Sequence, residues 1–231
     1  MTKIKICGIK TLNDARAAVE AGADYLGFNF YPKSARYIEK NACAEMASVL
    51  KREHPRIKLV GVFVNSTVEE IKDILATCSL DLAQLHGDET PGMVSAFNGK
   101  AFKAIRLSSS ESVETSVYPF LKSVSPSVDE SALPALLVDA SVKGVYGGSG
   151  VTADWAAAAE LAKKYPLLLA GGLTPENVAE AVSGVKPWGV DVASGVESEP
   201  GRKDPRKMKS FVQAVKQTMD HGQSSIVYSH V

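Results

Sequence analysis

The chain has 231 residues, 45% of them hydrophobic, enough to bury one large core and within the span of a single barrel-type domain. Its 26 basic residues balance 26 acidic ones without any basic cluster, which argues against nucleic acid as a partner. No run reaches membrane-span length and residues 1–10 lack a signal-peptide core, while three scattered cysteines and four histidines match no metal spacing; the expectation is a metal-free protein of the reducing cytoplasm with no membrane partner.

Apolar runs of strand length occur at Ile4–Cys7, Tyr25–Phe30, Lys58–Val64, Leu82–His86, Ala101–Arg106, Leu136–Asp139, Leu167–Ala170 and Gly189–Val192. Helical patterns lie between them, among them Leu12–Ala21, Val68–Ala76, Trp155–Lys164, Pro175–Val182 and Pro205–Thr218. Such alternation implies parallel strands joined by right-handed crossovers. Eight units close into a (β/α)8 barrel more naturally than into an open sheet, because several strands alternate in polarity instead of being apolar throughout. On that reading Ile4, Ile6, Val190 and Val192 pack beneath the helices. Lys5, Cys7, Gln84, His86, Asp139 and Asp191 then point inward, where polar groups are costly unless they pair or react. Ser108–Ser131 reads as a solvated excursion with a short helix at Glu111–Tyr118. The barrel is expected over residues 1–219, with residues 220–231 a loosely ordered tail.

The runs ending at Ala170 and Val192 both stop at glycines: Gly171-Gly172 after the first, Ser194-Gly195 after the second. Glycines let backbone N–H groups approach an anion closely, and a following helix adds its positive dipole end. Thr174 as N-cap with Pro175 at the first helical position supplies one such helix, and Val196-Glu197 could open another. Gly171, Gly172, Ser194 and Gly195 are therefore the expected phosphate-binding set, since strands 7 and 8 of such a barrel are where a phosphate cup usually sits.

Active sites of these barrels lie at the carboxyl ends of the strands. Cys7 ends the first strand and Asp139 the sixth, the latter followed by a glycine-rich stretch, Lys143–Gly150, with the composition of a lid. A thiol and a carboxylate at opposite rims of one mouth can act as base and acid on a substrate between them.

In sequence order, Lys5–Ile9, Gly27–Tyr37, Val60–Asn65, Gln84–Glu89, Tyr146–Gly150, Ala170–Leu173 and Gly189–Asp204 resemble the phosphoribosylanthranilate isomerases of tryptophan biosynthesis, over about Lys3 to Gln217. Two departures are small: Ala35 stands where this family commonly has proline, and Ala153 where a bulky residue often stands. The resemblance implies an Amadori rearrangement of N-(5'-phosphoribosyl)anthranilate without cofactor, with Cys7 as general base and Asp139 as general acid. For those roles a nearby positive charge should favour the Cys7 thiolate, and burial should raise the Asp139 pKa. Arg36 suits the anthranilate carboxylate, since a guanidinium grips a carboxylate through two parallel hydrogen bonds. Asp191 is expected either to hold a ribose hydroxyl or to pair with Lys5, and His86 either to touch substrate or to serve as a structural hydrogen-bonder. The protein is expected to be a monomer or a homodimer acting on a small phosphorylated sugar.

Overall fold

A computed structural model describes residues 1–106, 116–121, 133–139 and 152–223. Eight parallel strands form a closed barrel in chain order: β1 (Lys3–Cys7), β2 (Tyr25–Asn29), β3 (Lys58–Phe63), β4 (Leu82–Leu85), β5 (Ala101–Arg106), β6 (Leu136–Asp139), β7 (Leu167–Ala170) and β8 (Gly189–Val192). The helices between and after them are α1 (Leu12–Ala21), α2 (Lys40–Glu53), α3 (Val68–Thr77), α4 (Pro91–Ser95), α5 (Tyr118–Leu121), α6 (Thr152–Ala162), α7 (Val178–Val185) and α8 (Pro205–Gln223). A 3-10 turn, Ser194–Val196, and a small antiparallel hairpin, β9 (Glu197–Glu199) with β10 (Arg202–Lys203), fill the connection between β8 and α8.

Strand boundaries match the sequence reading to within a residue, and the alternation of polarity carries through. Ile4, Ile6, Val190 and Val192 join the buried layer between sheet and helices. Inside the barrel, Tyr25, Val60, Leu82, Phe102, Leu137, Leu168 and Trp188 belong to a separate apolar cluster. Its Tyr25 and Trp188 rings are tilted against each other, 5.9 Å apart. The barrel is thus apolar towards the amino ends of its strands and polar towards their carboxyl ends.

Two helices lie where no helical signal was named. Helix α2 has no side-chain bond at its N-cap, Glu39, and α4 is only five residues long. The helix expected from Pro175 begins instead at Val178: Asn177 makes no side-chain capping bond there, and its amide bonds back to the Gly172 carbonyl and the Thr174 N–H. Helix α8 runs to Gln223, beyond the boundary expected at residue 219; residues 224–231 of the tail, the short helix at Glu111–Tyr118 in its first five residues, and the Lys143–Gly150 stretch lie outside the described residues.

Closure brings the first and last strands together. Lys5 and Asp191 are register partners across the β1–β8 seam, and Lys5 Nζ lies 2.7 Å from Asp191 Oδ1. The Lys5 side chain has no solvent exposure and that of Asp191 only 9%. Removing one member of such a pair strands the other charge in the interior. Asp191→Asn should therefore lower the free energy of unfolding by about 3–5 kcal/mol, measured by urea titration. An unchanged midpoint would show that the pair does not hold the seam.

Candidate active site at the carboxyl ends of the strands

The polar residues at the top of the barrel converge on the Lys5–Asp191 pair. Cys7 lies two residues beyond Lys5 on the same inward face, and both side chains crowd Gly27 of β2: a methyl group there would stand 2.7 Å from Cys7 Sγ and 3.1 Å from Lys5 Nζ. Gly27 thus supplies the room that thiol and ammonium share. Burial pushes the Cys7 thiol up, and Asp191 adds to this, outweighing the opposing pull of Lys5 and Lys203. The expectation that neighbouring cations would bring the thiolate down is therefore corrected: two cations are present, but desolvation wins. Burial works against the charged form of Lys5 too, yet Asp191 and Cys7 hold its pKa above the ordinary lysine value.

His86 follows β4. Its main-chain N–H donates to the Phe63 carbonyl at 2.8 Å, and its Nδ1 lies 2.8 Å from Gln84 Nε2. Burial lowers its pKa, although both Asp191 and Asp139 are near enough to pull the other way. A neutral ring with Nδ1 accepting from the Gln84 amide keeps its proton on Nε2. Lys103, on the outer face of β5, fixes this corner by donating to the Leu85 and Gly87 carbonyls at 3.2 and 2.7 Å. Glu89 balances its charge at 3.3 Å.

Asp139 ends β6 beside the same mouth. It is less enclosed than expected of an acid: its side chain is 17% exposed and lies 3.7 Å from Arg106 at the end of β5, a partner the sequence reading did not name. Asp191 is engaged with Lys5, the second of its two expected arrangements. Arg36 reaches the mouth from the loop after β2, and its guanidinium forms a two-bond pair with Glu197, 2.7 Å at each contact. Sequence reasoning missed Glu197 as an arginine partner and gave it a helix start instead; it opens the extended β9.

The two glycine turns pack against each other. Gly171 and Gly172 have φ of 99° and 64°, the left-handed region that favours glycine. Asn177 ties their turn shut, donating to the Gly172 carbonyl at 3.0 Å and accepting from the Thr174 N–H at 2.8 Å. A side chain at Gly195 would run into the Leu173 carbonyl, so the turn after β8 packs directly on the turn after β7. Gly172, by contrast, faces open space. Among the described residues no group of three or more metal-ligating side chains occurs, and no helix is long and apolar enough to cross a membrane.

These glycines predict different sensitivities. Gly195→Ala should unfold at a clearly lower temperature, because backbone must shift to admit a methyl group. Gly172→Ala should cost only about 1 kcal/mol, the strain of a left-handed alanine. Equal melting temperatures for the two variants would contradict the direct packing of the turns.

The description "N-(5'phosphoribosyl)anthranilate (PRA) isomerase" belongs to the family whose model matches residues 4–214. A relative from Geotalea daltonii, named N-(5'-phosphoribosyl)anthranilate isomerase, is 44% identical over 220 residues, covering 95% of this chain and 99% of its own. A monomeric form of the dimeric phosphoribosylanthranilate isomerase from Thermotoga maritima is 34% identical, with a TM-score of 0.77 over 94% of this chain and all of its own. A phosphoribosylanthranilate isomerase structure in complex with reduced 1-(o-carboxyphenylamino)-1-deoxyribulose 5-phosphate matches at the same identity, with a TM-score of 0.74 over 94% and 100% of the two chains. With sequence match and barrel architecture agreeing over nearly the whole chain, this protein belongs to the phosphoribosylanthranilate isomerase family.

Proposed function

We propose that the chain catalyses the Amadori rearrangement of N-(5'-phosphoribosyl)anthranilate to 1-(o-carboxyphenylamino)-1-deoxyribulose 5-phosphate, a step of tryptophan biosynthesis. The observation that carries this reading is the meeting, at one barrel mouth, of an inward thiol on β1, a carboxylate ending β6 and a pair of apposed glycine turns after β7 and β8.

Each chemical demand then has a group. Asp139 gives a proton to the ring oxygen; the bond from that oxygen to carbon 1 breaks as nitrogen donates its lone pair, leaving an open-chain iminium. The Cys7 thiolate takes the proton from carbon 2, and the electron pair moves into the carbon 1–carbon 2 bond to give an enolamine. The enolamine loses its hydroxyl proton and gains one at carbon 1, producing the ketone with no net redox change. Arg36 binds the anthranilate carboxylate, and the N–H groups of Gly172 and Gly195, with the Ser194 hydroxyl, bind the phosphate. His86, with its proton on Nε2, suits a sugar hydroxyl. A thiol with a raised pKa is ionised less often, but its thiolate is a stronger base towards a carbon acid. Three free thiols, with no disulfide among the described residues, support a reducing compartment, and we place the reaction in the cytoplasm. The reading requires no second subunit, so monomer and homodimer both suit it.

Turnover of freshly prepared phosphoribosylanthranilate, followed by loss of its fluorescence, tests the proposal. Cys7→Ala and Asp139→Asn should each reduce kcat by at least about 10²-fold, the low end for a general base or acid. Asp139→Asn should still bind the reduced product analogue. Wild-type-like kcat in either variant would remove that residue from the chemistry. Because burial raises the thiol pKa, the thiolate stays the minority form through the ordinary thiol range. The rate at which iodoacetamide alkylates Cys7 should accordingly keep rising with pH past about 8.5. A rate that has levelled off by about pH 7 would show a thiol whose ionisation burial does not oppose.

A further inference from the structure

Arg36 does not stand alone at the mouth. Its Nε and Nη2 donate to Glu197 Oε1 and Oε2, each at 2.7 Å. Lys203 Nζ donates to the same Oε1 at 2.9 Å and to the Ala193 carbonyl, also at 2.9 Å. The Glu197 side chain is 4% exposed and that of Lys203 fully buried. Burial opposes the charged form of Glu197, but the bonds from Arg36 and Lys203 outweigh it and hold the carboxyl below its ordinary pKa.

This arrangement has two consequences. A guanidinium carries five N–H groups, and Glu197 takes two of them along the Nε–Nη2 edge. The Nη1–Nη2 end is left to grip a second carboxylate. The charge also comes out right: two cations and one carboxylate leave the cluster one positive charge in excess, so Glu197 orients Arg36 without cancelling its attraction for an anion.

The backbone braces the same geometry. A methyl group on Gly201, in the β9–β10 turn, would lie 2.5 Å from the Ala35 carbonyl, so the hairpin rests on the residue before Arg36. Lys10 Nζ donates to that carbonyl at 3.1 Å. The Arg36 stem crosses Gly8, the residue after Cys7, where a methyl group would stand 2.5 Å from Cδ. Through Lys203 and Ala193 the hairpin is tied to the residue that precedes Ser194 and Gly195.

We infer that Glu197, braced by Lys203, is a positioning residue that holds Arg36 by one edge so that its other end recognises the substrate carboxylate, the β9–β10 hairpin linking this recognition to the turn after β8. This role rests on Arg36 being the carboxylate-binding group.

The test is calorimetric affinity for two probes: reduced 1-(o-carboxyphenylamino)-1-deoxyribulose 5-phosphate and its counterpart lacking the carboxyl group. The wild-type protein should prefer the carboxylated probe. Glu197→Gln should reduce that preference by about tenfold, while changing affinity for the counterpart by less than about twofold. Glu197→Asp keeps the charge beside Lys203 but withdraws it from Arg36 by one methylene, and should lose part of the preference; it carries the test if Glu197→Gln does not fold. Equal weakening of both probes would mean that Glu197 only supports packing, and an unchanged preference in both variants would overturn the role outright. Arg36→Met separates the two levels. Loss of preference there, with retention in both Glu197 variants, overturns this inference alone. Retention of preference in Arg36→Met overturns the reading of Arg36, and the role of Glu197 with it.

Discussion

A lysine on the first strand and an aspartate on the last meet 2.7 Å apart inside the barrel, and much of the site follows from that contact. Neither charge can remain buried alone, so the pair ties β1 to β8 in one register, Lys5 opposite Asp191. It also fixes what the neighbouring positions can hold. Gly27 must lack a side chain because Lys5 and Cys7 already fill the space above it. The thiol next to them titrates against burial, with the ammonium of Lys5 pulling one way and the carboxylate of Asp191 the other. The surroundings of the thiol are thus an extension of the interaction that closes the fold.

Charge is arranged around the mouth in short sets. Lys5 pairs with Asp191, Lys103 with Glu89, Arg106 with Asp139, and Arg36 with Lys203 about a single Glu197. Only the last set carries an excess positive charge, which suits it to meet an anionic group. At the turns after β7 and β8 the N–H groups come from backbone held by Asn177 and by close packing of Gly195 on Leu173. Backbone donors of this kind are preorganised and bind an anion without the rotamer cost of long cationic side chains.

The barrel was legible because its strands alternate: Lys5 and Cys7 alternating with Ile4 and Ile6 already say that β1 has one polar and one apolar face. The glycine turns were legible for a similar local reason, since Gly171-Gly172 and Ser194-Gly195 interrupt apolar runs. Helix α2 was not, although Cys43, Met46, Ala47 and Leu50 form its buried face, because its start carries no side-chain capping bond. The start of α7 was misread because Thr174-Pro175 has the composition of a helix start, while Asn177, which makes no side-chain capping bond, ties the residues before it into a turn. Glu197 lies 161 positions from Arg36, and Arg106 is far in sequence from Asp139; only barrel closure and strand pairing bring such partners together. The raised pKa of Cys7 was likewise out of reach, since it reflects how deeply Lys5, Asp191 and the thiol are buried together.

The central claim is that Cys7 and Asp139 address the two reacting ends of one sugar phosphate whose phosphate lies across the mouth. A crystal structure of the protein with reduced 1-(o-carboxyphenylamino)-1-deoxyribulose 5-phosphate measures this most directly. The account predicts carbon 2 in van der Waals contact with Cys7 Sγ, Asp139 on the side of the former ring oxygen, and phosphate oxygens within hydrogen-bond distance of the Gly172 and Gly195 N–H groups. A phosphate bound away from those two turns, or a carbon 2 facing away from Cys7, would contradict it.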